Sequence, residues 1–139
     1  MTAQREQNWQ PIMMLPTIAD VVTGMLDGAA EQQRLLASAR PYSLNNATLD
    51  RVERVYRDGL DGHEAFENQV ARWQREHPAA AGLAALAQQV GRLRPAYQRV
   101  LVIATQQRGN TIEALMGKSD LQVGMEALLG GPLPDNQDR

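Results

Sequence analysis

The stretch LAALAQQVGRLRPAYQRVLVIA, residues 83–104, decides how this chain folds. Leu83, Leu86, Val90, Leu93, Tyr97, Val100 and Ala104 recur at alternating spacings of three and four, which places them on one face of a helix. Pro95 stands in the middle of the run. It has no N–H to donate, and its ring presses on the carbonyl four residues earlier. The stripe nevertheless keeps its register through Pro95, which falls opposite the seam, and the residue under the clash is Gly91. The spacing therefore predicts a single helix from Pro78 to Arg108, kinked at Pro95 and ended by Gly109, rather than two helices.

Upstream, the turn Pro41-Tyr42-Ser43-Leu44-Asn45 leads to Asn46, read as the N-cap of a helix that runs to Glu76, just before His77-Pro78. Its apolar pairs repeat every seven residues: Leu49 and Val52, Tyr56 and Gly59, His63 and Phe66, Val70 and Trp73. A first helix is expected from Thr17, with Asp20 in capping-box position, to Arg40 before Pro41. Its stripe is Ile18, Val22, Met25, Ala29, Gln32, Leu36 and Ala39. Beyond Gly109, two short helices are expected, Thr111 to Met116 and Asp120 to Leu129. The second opens on Ser119 with Gln122 and closes on Gly130-Gly131. Val100 to Ile103 is apolar on every face, and Ile112, Leu115, Met116, Leu121, Leu128 and Leu129 of the short helices are expected to cover it.

The fold class that follows is all-α: an elongated antiparallel up-down-up three-helix bundle over 17–131 with a small C-terminal helical cap. An extended apolar segment over 1–16 precedes it, and a loose tail over 132–139, with two prolines, follows. Gly24, Gly28, Gly59 and Gly62 fall within the helices, where each costs about 1 kcal/mol relative to alanine, so they point to a close helix approach, a groove or local flexibility, and close packing of the first two helices is expected ahead of a ligand cleft.

Composition narrows the chemistry. The 139 residues carry 14 basic and 16 acidic groups, a net charge of −2 with a pI near 5.6, which offers no field for nucleic acid or anionic lipid. With no cysteine, disulfides, thiolate metal sites and a cysteine nucleophile are excluded. No unbroken apolar run exceeds five residues and no basic n-region opens the chain, so neither a membrane span nor a secretory signal is expected, and the compartment read from this is the cytoplasm. Arginine outnumbers lysine 13 to 1 beside abundant alanine, a bias of GC-rich bacterial genomes.

Three motifs invite a chemical reading. His63 and Glu67 lie one helical turn apart and would reach one metal ion, with Asp61 or Glu64 as neighbour. A zincin lacks its second histidine here, and a di-iron site its Glu-x-x-His, so His63 reads instead as a hydrogen-bonded seam residue. Gly117-Lys118-Ser119 resembles the end of a phosphate loop but has Ile112 where the first glycine belongs and no preceding strand. Arg51, Arg54 and Arg57 form a cationic strip, which Asp50 and Glu53 neutralise if each pairs with the arginine four residues on. A helix-turn-helix over Thr111 to Leu129 would present Asp120, Gln122 and Glu126 to a phosphate backbone and is rejected.

The segment Trp9, Ile12, Met13, Met14 and Leu15 remains. One of two tryptophans stands there beside two methionines, a combination suited to an adaptable apolar contact that either folds back on the bundle or docks on another chain. The expectation is a non-enzymatic bundle without a cofactor, acting through protein–protein contact with a partner or as a homo-oligomer, at this segment and the C-terminal cap. The alternative is a metal- or ligand-binding bundle, as an enzyme or otherwise, centred on His63 and Glu67.

Overall fold

The computed structural model describes residues 9–117 and 120–129, and among them the chain is all-helical. A 3-10 turn over Ile12–Met14 leads directly into α1, Leu15–Ala37. The helix thus begins two residues before the expected Thr17, because Pro16 occupies the first turn, where its missing N–H costs nothing. Residues 12–16 are accordingly helical rather than extended. α1 ends at Ala37, short of Arg40: the N–H of Ser38 donates to the carbonyl of Arg34 at 3.0 Å and its hydroxyl to the same carbonyl at 2.8 Å.

The long second helix is two helices, α2 over Asn46–Asp61 and α3 over His63–Glu76, parted at Gly62. Its cap is Asn45, not Asn46: the Asn45 side chain accepts from the N–H of Thr48 at 2.8 Å, while the N–H of Asn46 donates to Glu113 at 3.0 Å. The heptad pattern nevertheless survives the break, with Leu49, His63, Val70 and Trp73 all buried.

α4 spans Leu83–Gln106 and starts five residues after the expected Pro78. Gly82, at φ +87° in the left-handed region that favours glycine, turns the chain immediately before it. The helix then continues through Pro95, and every residue of the 83–104 stripe is at most 9% exposed. α1, α2 and α3 all pack against α4, while α1 and α2 lean on α4 rather than on each other. The fully buried Trp73, Leu36, Leu49, Leu86, Leu93, Val22 and Val100 form the centre of the core.

At the far end, a 3-10 turn over Gln107–Asn110 leads to α5, Ile112–Met116, capped by Thr111, whose hydroxyl accepts from the N–H of Ala114 at 3.1 Å. The N–H of Ile112 donates to the carbonyl of Leu44 and that of Tyr42 to the carbonyl of Asn110, both at 2.7 Å, tying this end to the α1–α2 turn. α6 covers Asp120–Leu129. The expected cover of Val100 to Ile103 is not what these helices supply. Ile112, Met116, Leu128 and Leu129 are exposed, as is Val102, and Val100 is buried within the bundle core instead. The Leu121 side chain, Ser119 with its Gln122 partner, Gly130-Gly131 and the tail over 132–139 lie outside the described residues.

Candidate interaction surface

His63 is 3% exposed and fully engaged. Its Nε2 lies 2.9 Å from the carbonyl oxygen of Val90, and its Nδ1 lies 3.3 Å from Nη2 of Arg94. The neutral tautomer protonated on Nε2 satisfies both contacts: Nε2–H donates to Val90 and Nδ1 accepts from Arg94. Glu67 does approach, with Oε1 at 3.5 Å from Nδ1 and 3.9 Å from Arg94 Nη2. The lone pair that a metal ion would need is therefore the one facing a guanidinium. Asp61 and Glu64 are exposed, and among the described residues no group of three His, Cys, Asp or Glu is placed to hold a metal.

The arginine strip pairs differently from the spacing. Asp50 and Glu53 both accept from Arg108, at 2.7 and 2.9 Å, while Glu53 keeps only a 3.9 Å contact with Arg57. Those hydrogen bonds, from Asp50 first and then Glu53, raise the Arg108 pKa above its already high value. Gly117 closes α5 as its C-cap, and Lys118 and Ser119 lie outside the described residues.

The five apolar residues of the N-terminal segment separate. Leu15 is in the core, Ile12 packs against it, and Met14 is half-buried. The N–H of Gln10 donates to Gln69 at 2.8 Å, and its carbonyl accepts from the Trp73 indole at 3.1 Å, so the main chain is stitched to α3. Trp9 stacks under Arg72, with the guanidinium carbon 4.7 Å from the ring, an arrangement that attracts a cation to the π face. Met13 alone stands clear, 78% exposed. The segment and the C-terminal helices are also far apart. Leu15 neighbours Gly82 at one end of the bundle and Gln107 hydrogen-bonds Leu36 at the other, separated by an α1 of about 34 Å.

Two further surfaces lack their own cover. At the C-terminal end Met116, Leu128 and Leu129 are 79%, 83% and 67% exposed. Along the α1–α2 seam an open groove of about 340 Å³ is lined by Gln32, Thr48, Arg51, Val52, Val55 and Tyr56. The Tyr56 hydroxyl spans this seam, donating to the carbonyl of Gly28 at 3.5 Å. Only Gly59 of the four interior glycines permits a close approach, and that approach is to Tyr97 of α4, not to α1; Gly24 and Gly28 face open space. Helical periodicity identified none of Arg94, Arg108, Gln10 and Gln69, whose partners lie at least 27 residues away in sequence.

The Ile12–Ala37 stretch, α1 with the turn before it, is long and apolar enough by length and composition to cross a membrane. No unbroken apolar run marks it in the sequence, because Asp20, Asp27 and Glu31 interrupt the helix. Its Leu15, Val22, Ala29 and Leu36 are buried in the bundle.

No family model, curated protein or solved structure matches this chain.

Proposed function

We propose that this protein is a non-enzymatic interaction module of the bacterial cytoplasm that binds a protein partner, a second copy of itself included, through the apolar C-terminal end of its bundle. The observation that carries this reading is the exposure of Met116 on α5 and of Leu128 and Leu129 on α6. Large apolar side chains left in solvent, where they gather into a patch, mark interaction sites in soluble proteins. The N-terminal segment contributes less than its composition suggests, because Leu15 and Ile12 pack within their own chain and Trp9 is stacked on Arg72. For the cytoplasmic reading the apolar first helix supplies one buried position every two turns, Leu15, Val22, Ala29 and Leu36, while most of it stays outside the core.

We read the scaffold as an up-down-up bundle. Leu15 neighbours Gly82, Thr23 hydrogen-bonds Gln89, Gln33 hydrogen-bonds Ala96 and Gln107 hydrogen-bonds Leu36, all in the same order along α1 and α4. The pairs across to α4 from the second arm run in reverse: Arg108 with Asp50, Tyr97 with Tyr56, Val90 with His63.

The test compares the full chain with Leu128→Ser/Leu129→Ser and with Met13→Ser by size-exclusion chromatography, alone and with partners identified by mass spectrometry. A stoichiometric complex that the double variant loses and Met13→Ser keeps is the expected result. A complex indifferent to both, or none at any concentration, overturns the reading.

A further inference from the structure

We propose that the partner at the C-terminal end is a second copy of this chain, and that α6 of each copy seats in the α1–α2 groove of the other. This rests on the interaction reading above and names its occupant. The argument starts from α6, a helix of ten residues. Isolated helices of fewer than about 12 to 15 residues are marginal in water, so α6 needs a surface to hold it. Its register puts Met125, Leu128 and Leu129 on one face, and all three are exposed.

A receiving surface of matching character exists on the same molecule. The groove is walled by Val52, Val55 and Tyr56 on α2, and Val55 is 56% exposed. On α1 the groove is bounded by Gln32, and one turn away Gly28, whose carbonyl lies 3.5 Å from the Tyr56 hydroxyl, leaves the space beside its backbone open. α6 is about 15 Å long, somewhat more than the roughly 12 Å from Thr48 to Tyr56 along α2, so one of its ends overhangs the groove. The charges agree as well. α6 contains Asp120 and Glu126 and no basic residue, whereas Arg51 on the groove wall holds no ion pair among the described residues.

The occupant is a second copy rather than the chain's own α6 because its own groove lies close by and stays empty. α5 is fastened beside Asn46, at the same end of α2 as the groove, and only residues 117–119 separate it from α6. With its own groove that near, α6 still leaves Leu128 83% exposed. A second copy brings the same groove without the three-residue tether. Mutual exchange makes two identical contacts about a twofold axis, which closes the assembly at two chains.

The absence of native cysteine makes the geometry directly testable. Val55→Cys and Leu128→Cys, both at exposed positions, are purified separately, mixed in equal amounts, equilibrated and oxidised, alongside the wild-type chain in sedimentation equilibrium at about 100 μM. The expected result is a wild-type mass of twice the 15.4 kDa chain, and a disulfide-linked pair containing one of each variant, in several-fold higher yield than either variant gives alone. Leu128→Ser/Leu129→Ser should sediment as a monomer that keeps the helicity of the bundle and loses at most that of the ten residues of α6. A monomeric wild-type chain, a Val55→Cys species that links only to its own kind, or a Val55→Cys/Leu128→Cys chain that closes within itself each overturns the exchange. A monomer that still captures a different protein through Leu128 and Leu129 overturns this inference while leaving the interaction reading standing. A monomer that captures nothing overturns both.

Discussion

The same substitution at two interior glycines should change stability in opposite directions. A Cβ on Gly59 would lie 2.8 Å from Cδ2 of Tyr97 and would also collide with Cε2, whereas one on Gly24 meets nothing within 4 Å. Tyr97 has little room to retreat. It is 9% exposed, and its ring meets that of Tyr56 edge-on at 4.6 Å between centroids. Replacing a helix-interior glycine by alanine gains about 1 kcal/mol of backbone propensity. Forcing a methyl into a packed core costs about 1–3 kcal/mol. Gly59→Ala should therefore lose about 1 kcal/mol net, and Gly24→Ala should gain up to about 1 kcal/mol. For a chain of this size those values correspond to melting-temperature shifts of roughly 4 °C down and up to 4 °C up.

Thermal and urea unfolding followed by far-UV circular dichroism measure both. Tyr97→Leu supplies the control, because it removes the ring atoms that the new methyl strikes. On that background the cost of Gly59→Ala should disappear, giving a coupling of about 1 kcal/mol or more in the double-mutant cycle. Gly59→Ala that stabilises as much as Gly24→Ala, with no coupling to Tyr97, would refute the close approach.

Two further outcomes follow from the caps and the buried phenols. Asn45→Ala should destabilise by about 1 kcal/mol in urea titrations through loss of the bond from Thr48, whereas Asn46→Ala should be near neutral because only its main chain is used; equal losses would make Asn46 the cap. Burial raises the Tyr56 phenol pKa, with a smaller contribution from neighbouring Tyr97, and burial raises that of Tyr97 as well. The folded pKa thus exceeds the unfolded value of about 10, so this stabilisation is complete below pH 10 and is lost as pH climbs through the folded pKa. The melting temperature should fall in that alkaline window, and less steeply in Tyr56→Phe/Tyr97→Phe; parallel curves for the two proteins would contradict the coupling of these phenols to the fold.

What was legible in the residues was periodic. The 83–104 stripe is buried in its entirety, Pro95 is carried inside one helix, and His63 lies on the seam where its heptad position put it. Helix ends were less legible. Asn45 and Asn46 are equally good caps by chemistry, and the choice fell to Asn45 because Glu113, 67 residues away, takes the N–H of Asn46. Likewise Gly62 breaks the second helix where the apolar spacing passes without a mark, and the left-handed Gly82 delays the start of α4 to Leu83.

The candidate site followed the same division. Composition singled out Trp9, Ile12, Met13, Met14 and Leu15 as apolar residues before the first helix, but whether each faced its own core was a matter of where α3 passed. Gln10 met Trp73 and Gln69, so most of the segment turned inward. The sequence alone determined the helical class and the buried face of α4, because a 3.6-residue period is a local property of the chain. Only the tertiary structure decided that Arg108 serves Asp50 and Glu53, that Gly59 rather than Gly24 lies against a neighbour, and that α6 is left uncovered. Those contacts join residues tens of positions apart, and their geometry depends on how whole helices lie across one another.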